Sequence, residues 1–142
     1  MEKNSDIQFR SPEEIKLYQE ARLTETLAYL QAHSRFYQQM FKEHSIDITR
    51  IKKIEDLQQI PVTTKTDLQL HNSEFICVDP DGIIDYVTTS GTLGDPVTFV
   101  LTSKDLDRLA YNEYLSFNTA GCSRHDILQL MTTIDRRFMA GL

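Results

Sequence analysis

Residues 88–94 read Thr88-Thr89-Ser90-Gly91-Thr92-Leu93-Gly94, four hydroxyls and two glycines between two runs rich in β-branched side chains. Glycine lets a backbone approach a ligand and turn successive N–H groups one way, and hydroxyls add donors, so such a segment can wrap phosphate oxygens. It contains neither Gly-x-x-x-x-Gly-Lys-[Ser/Thr] nor Gly-x-Gly-x-x-Gly. Ser90 does not sit in a Gly-x-Ser-x-Gly elbow, so a serine hydrolase is not indicated. The competing reading is an ordinary glycine-containing connection between strands.

Other reactive side chains form no comparable pattern. His33, His44, His71 and His125 lack metal-ligand spacing, and His33 reads as a packing residue. Cys77 and Cys122 form no Cys-x-x-Cys pair and read as small buried residues rather than a zinc site or disulfide. Asp79-Pro80-Asp81-Gly82 is turn chemistry without the ligand order of a calcium loop. Lys65 opens a helix, and Asp126 is loop polarity.

The elements that must position the 88–96 segment follow from capping and periodicity. Ser11-Pro12-Glu13-Glu14 predicts a helix start with a capping box. Ile15, Tyr18, Ala21, Leu23, Leu27 and Leu30 continue it near the helical period, and Ser34 caps a second helix carrying Phe36, Tyr37, Met40 and Phe41. Ile54–Leu57 reads as one helical turn before Pro61, and Thr64–Asp67 as another helix start. Strands are expected from Phe75–Val78 onward, over Ile83–Thr89 and Val97–Leu101. Ser103-Lys104-Asp105 opens a helix whose apolar face is Leu106, Leu109, Ala110 and Tyr114, with Gly121 at C′. Ile127–Met131 reads as a buried strand and Arg136–Leu142 as the start of another element, the alternation of an α/β sheet.

The chain has 142 residues, 40% hydrophobic and 25% charged, enough for one core and too few for two full domains. Its formal net charge is −6. Residues 1–60 carry nine Lys/Arg against ten Asp/Glu, and residues 61–142 six against eleven. With the basic residues clustered only as the pairs Lys52-Lys53 and Arg136-Arg137, nucleic-acid binding is disfavoured. The charged first twenty residues resemble neither a signal nor a transit peptide, and no apolar run reaches membrane-span length, so a cytoplasmic location without membrane association is expected.

Three blocks carry a family resemblance. Thr89-Ser90-Gly91-Thr92-Leu93-Gly94-Asp95-Pro96 resembles the phosphate-binding signature of adenylate-forming enzymes, which reads Ser-Ser-Gly-Thr-Thr-Gly-Lys-Pro in the phenylacetate-CoA ligase family. Ala32-His33-Ser34-Arg35-Phe36-Tyr37 is similar to that family's His-Ser-Pro-Phe-Tyr segment. Ile54-Glu55-Asp56-Leu57, continuing through Ile60-Pro61-Val62-Thr63-Thr64-Lys65-Thr66-Asp67-Leu68, is similar to its Leu-Glu-Asp-Leu…Leu-Pro-x-Thr-Thr-Lys-x-Asp-Leu run. The blocks stand in the family's order, and the resemblance extends from about Tyr18 onward.

The resemblance implies a helical N-terminal region over residues 1–70. The beginning of a mixed α/β adenylate-forming domain follows over residues 71–142, with the phosphate loop at 88–96. It implies ATP-dependent adenylation of a small-molecule carboxylate, aromatic in the family's type, followed by transfer of the acyl group to coenzyme A, with Mg²⁺ offsetting the phosphate charge. By matching position, Thr89, Ser90, Gly91, Thr92 and Gly94 would bind the ATP phosphates. In the family the adenine and acyl pockets, the acid that binds Mg²⁺ and a mobile domain with a catalytic Lys follow this loop. The chain therefore reads as an N-terminal fragment that does not complete a turnover alone.

Two positions differ from the signature. Leu93 removes a hydroxyl, and Asp95 replaces the common Lys with an anion; at ~5 Å and an effective dielectric near 20, a unit-charge contact is worth about 3 kcal/mol before screening. They keep open a non-catalytic nucleotide-binding or oligomerising remnant of the fold, and a related synthetase serving another acceptor. A cut α/β sheet leaves open edges and apolar surface, so a homo-oligomer is expected.

Overall fold

A computed structural model describes residues 7–89, 94–129 and 131. These residues are mostly helical, with one small two-stranded sheet. The chain divides into two compact units, Met1–Cys77 and Val78–Leu142.

In the first unit, the Ser11 hydroxyl accepts from the Glu14 N–H at 3.3 Å, and the Glu14 carboxylate accepts from the Ser11 N–H at 3.1 Å. This capping box, with Pro12 at the first helical position, starts α1, Pro12–His33. Ser34 ends α1 and caps α2, Arg35–Glu43, because its backbone is extended (φ −99°, ψ 117°). Both helices stand where capping predicts them.

Ser34 is wholly buried. Its hydroxyl donates to the Glu74 carbonyl at 3.1 Å and accepts from the Tyr37 N–H at 3.3 Å. Its own N–H reaches the Leu30 carbonyl at 2.9 Å, and its carbonyl receives the Gln38 N–H at 3.0 Å. One small residue thus satisfies the end of one helix, the start of the next and a carbonyl forty positions away.

Leu27, Phe41 and Ile51 form the core, flanked by Leu23, Tyr37, Ile46, Ile48 and Ile60. Beside it Phe36 stacks on Phe75 at 4.1 Å between ring centroids, with Tyr37 edge-on to both, an arrangement aromatic quadrupoles favour. Tyr37 Oη lies 3.1 Å from Thr63 Oγ1, and Tyr29 Oη donates to the Cys77 carbonyl at 3.0 Å. Lys16 pairs with Glu55 at 2.5 Å, tying α1 to the 3₁₀ segment Ile54–Gln59. Asp56 caps that segment by accepting from the Lys52 and Lys53 N–H groups at 3.0 and 2.9 Å. The expected turn before Pro61 is therefore present in 3₁₀ form. Thr64 and Asp67 form a second capping box at the start of α3, Lys65–Leu70.

The strand expected at Phe75–Val78 is not formed. Phe75 ends a 3₁₀ turn, Asn72–Phe75, and packs on Phe36. Phe75 joins an aromatic cluster, and Ile76, Cys77 and Val78 are half-buried outside any ladder. Cys77 and Cys122 are half-buried free thiols rather than fully buried ones, and burial pushes the Cys77 thiol above its ordinary pKa.

The second unit opens with a 3₁₀ turn at Pro80–Gly82, the expected turn. Strands β1, Asp85–Thr88, and β2, Thr98–Leu101, pair antiparallel in the register Asp85 with Leu101 and Thr88 with Thr98. Val87, Val97 and Leu101 are buried. Helix α4, Ser103–Thr119, packs on β2 and is capped by Thr102, one residue before the expected opening, in a third capping box with Asp105. It ends as predicted at Gly121. At φ +86°, Gly121 donates to the Asn118 carbonyl at 3.0 Å while the Cys122 N–H reaches the Phe117 carbonyl at 2.9 Å, a Schellman motif. Leu106 and Leu109 are half-buried, but Ala110 and Tyr114, also expected on the apolar face, are exposed.

Ile127–Met131 is not a buried strand. Its described residues have no ladder partner, and Ile127 is 96% exposed; an apolar run becomes a strand only where a neighbour accepts its hydrogen bonds. Arg136–Leu142 lies outside the described residues. Among the described residues no helix is long and apolar enough to cross a membrane.

Replacing Ser34 by Ala removes the α2 cap and orphans the Glu74 carbonyl, so unfolding free energy is expected to fall by about 1–3 kcal/mol, measured by urea titration. A second expectation concerns pH. Hydrogen bonds from the Ser11, Lys53 and Thr102 N–H groups and from the Thr64 hydroxyl hold the carboxyls of Glu14, Asp56, Asp105 and Asp67 below their ordinary values. A depressed carboxyl stabilises the fold fully above its unfolded pKa and loses that contribution as pH falls through the folded value. Thermal melts should therefore be level at neutral pH and drop as pH falls below about 4.

Candidate functional site

The connection from Thr89 to Val97 joins β1 to β2. Its ends are held by two hydrogen bonds: the Thr89 N–H donates to the Val97 carbonyl at 3.0 Å, and the Val97 N–H donates to Thr89 Oγ1 at 3.0 Å. Continuing the strand register places these two residues opposite each other. Val97 is 2% exposed, whereas Thr89 faces solvent. The neck of the connection is thus anchored by a buried residue on one side and carries an accessible hydroxyl on the other.

Within the returning arm, Gly94 has φ +136°, a backbone region that favours glycine because no Cβ obstructs it. Pro96 precedes the buried Val97 and fixes its own φ. Asp95 is exposed. Of the five residues assigned from the loop pattern, the structure places Thr89 and Gly94 on this single connection. Ser90, Gly91 and Thr92 lie outside the described residues.

Val97 is the part that sequence reading missed. Only part of its signal lies in the sequence, a β-branched residue directly after Pro96; the register that sets it opposite Thr89 belongs to the fold.

The chemistry that the exposed side of the neck offers is hydrogen-bond donation from the Thr89 hydroxyl. A threonine hydroxyl that accepts from an amide keeps its own proton to donate. Helix α4 begins beyond β2, and its capping box engages the Thr102 and Asp105 amides. Asp105 Oδ2 in turn accepts from the Thr102 N–H at 3.0 Å and from Thr102 Oγ1 at 2.7 Å. That carboxylate is committed to capping.

The histidines and acids elsewhere do not assemble a rival site. His33 lies against Tyr29 at 4.6 Å between centroids, the packing role expected for it, and His71 pairs with Glu74 at 3.0 Å. A cavity of about 340 Å³ in the first unit is lined by Phe36, Met40, Pro61, Val62, Asp67 and His71, among others. Its acids already have partners: Asp67 with Thr64, Glu74 with His71 and Glu43 with Gln39. Among the described residues no group of three or more His, Cys, Asp or Glu side chains is disposed to hold a metal ion.

No family model matches the chain. Two curated relatives do: a phenylacetate-coenzyme A ligase of Thermus thermophilus, 32% identical over 110 residues, covering 77% of this chain and 25% of the relative, and a phenylacetate-coenzyme A ligase of Escherichia coli, 29% identical over 122 residues, covering 84% of this chain and 28% of the relative. Among solved structures, a 2-hydroxyisobutyryl-CoA ligase in complex with 2-HIB-AMP and CoA superimposes with a TM-score of 0.69 at 25% identity, over 76% of this chain and 24% of that one. The mostly helical arrangement with its small sheet thus resembles part of an acyl-CoA ligase fold. The chain spans about a quarter of the length of the curated relatives it matches. In sequence and in fold together, it is a phenylacetate-CoA ligase-like chain of the adenylate-forming class.

Proposed function

We propose that the chain supplies the N-terminal region and the phosphate-binding loop of an ATP-dependent acid–thiol ligase of the phenylacetate-CoA ligase type, acting in the cytoplasm. The fold is then the start of the mixed α/β adenylate-forming domain, with residues 1–70 preceding it and the loop at 88–96. The observation that carries the reading is positional: the glycine- and hydroxyl-rich run joins two paired strands, in a chain matched to two phenylacetate-coenzyme A ligases.

In this reading the hydroxyls of Thr89, Ser90 and Thr92 and the amides of Gly91 and Gly94 donate to the ATP phosphates. A small carboxylate, aromatic in the relatives' case, condenses with ATP to an acyl adenylate as pyrophosphate leaves, and the coenzyme A thiol then takes the acyl group from the adenylate, releasing AMP. Donors already oriented toward the phosphates lower the cost of building charge on departing pyrophosphate. Mg²⁺, where bound, offsets that charge. No step assigned to the described residues passes through the ion.

Calorimetric titration with Mg·ATP tests the assignment. Saturable heat is expected from the unaltered chain and its loss from the Ser90→Ala/Thr92→Ala variant; equal binding by both would overturn the loop assignment.

A second reading, association of the fold with itself, is favoured by the second unit's surface. Tyr114 is 60% exposed, Leu128 57% and Met131 84%, and apolar side chains so placed favour burial between molecules. Light scattering is expected to give a mass above the 16.5 kDa of one chain, and a monomer at all concentrations would remove this reading.

A further inference from the structure

We propose that the cavity of about 340 Å³ in the first unit is a binding site for a small organic cation, an ammonium group carried on an apolar body. The inference is independent of the phosphate-loop reading, and the cavity lies wholly within Met1–Cys77.

Three stretches of chain line it. Helix α2 supplies Phe36, Met40 and Glu43, the segment after Ile60 supplies Pro61 and Val62, and α3 with the 3₁₀ turn that follows it supplies Asp67, His71 and Glu74. Contacts distant in sequence fix these stretches to one another. The Ser34 hydroxyl holds the Glu74 carbonyl at 3.1 Å, Phe36 stacks on Phe75, and Tyr37 Oη lies 3.1 Å from the hydroxyl of Thr63, the residue after Val62. The lining is therefore set by the fold before a ligand arrives, and its volume falls within the range of about 300–1,000 Å³ usual for small-molecule sites.

The lining selects the ligand class. Phe36, Met40, Pro61 and Val62 suit a hydrocarbon body. The ionisable groups are three carboxylates, Glu43, Asp67 and Glu74, and two imidazoles, His44 and His71, with no Lys or Arg among the described lining residues. Each carboxylate spends one oxygen inside the protein: Glu43 Oε1 accepts from Gln39 at 2.8 Å, Asp67 Oδ2 accepts from the Thr64 N–H at 2.7 Å, and Glu74 Oε1 lies 3.0 Å from His71 Nδ1. The second oxygen of each makes no hydrogen bond among the described residues, so accepting capacity and negative charge both remain.

A bare metal ion does not suit this arrangement, because the described acids and histidines do not gather around one point. An ammonium group has no such requirement. Its N–H bonds can go to separate carboxylate oxygens, and the Phe36 ring attracts the same charge through its quadrupole. An anion of the same size would meet like charge.

The test titrates the unaltered chain with 2-phenylethylammonium, 2-phenylethanol and phenylacetate, similar aromatic bodies that differ in charge, and follows backbone amide shifts by NMR. The ammonium probe is expected to move amides within residues 36–44 and 67–74 along one saturable curve and to bind about fivefold more tightly than the alcohol; phenylacetate is expected to move none of them. The Glu43→Gln/Glu74→Gln variant keeps side-chain shape and the Glu74 carbonyl while removing two charges. It is expected to bind the ammonium probe about fivefold more weakly, as the loss of two solvent-reached ion pairs would give.

No shift at these amides with millimolar ammonium probe overturns the site. Equal affinity for ammonium and alcohol, shifts of the same amides by phenylacetate, or unchanged affinity in a variant whose α1 amides keep their positions overturns the selection for a cation. Should the variant fail to fold, the comparison of the three probes on the unaltered chain decides alone.

Discussion

The first unit depends on a single buried hydroxyl. Ser34 is the one fully buried polar residue among the described ones, and every bond it makes joins pieces that would otherwise drift: α1 to α2, and both to the 3₁₀ turn that ends at Phe75. The aromatic stack of Phe36 on Phe75 follows from that joint, because the Glu74 carbonyl is fixed next to the residue that stacks. A core centred on three buried side chains, Leu27, Phe41 and Ile51, is small. Polar joints at the helix ends carry a correspondingly large share of the definition of this unit.

The same chemistry recurs at the other helix starts. Ser11 with Glu14, Thr64 with Asp67 and Thr102 with Asp105 are reciprocal pairs of one kind, a hydroxyl and an acid three residues apart. This is why the helices were legible in the sequence: capping is local, and the residues that perform it lie beside the helix they begin. Gly121 was legible for the same reason, since a left-handed residue after a helix is a local demand.

Non-local features were harder to read. Phe75–Val78 and Ile127–Met131 have strand-like composition, yet Phe75 ends a 3₁₀ turn and joins an aromatic cluster, and the second run has no paired neighbour among the described residues. Composition records that a run prefers burial, not what will bury it. The loop is an intermediate case. Its chemistry was legible from hydroxyls and glycines, and its place between strands from the β-branched runs. That Thr89 would close the neck with its side chain was not, because this depends on a register set eight residues away.

Sequence separation also divides the two units in time. The bonds that close the first unit are long in sequence: Lys16 to Glu55 spans 39 positions, Ser34 to Glu74 spans 40 and Tyr29 to Cys77 spans 48. In the second unit the rungs of the hairpin lie close together, and such pairings form in about 1–10 μs once both strands exist. Loop closure makes the distant contacts the slower ones. During synthesis α1 therefore leaves the ribosome long before its closing partners, and the first unit can lock only when Glu74 and Cys77 have emerged, just ahead of the hairpin that carries the loop.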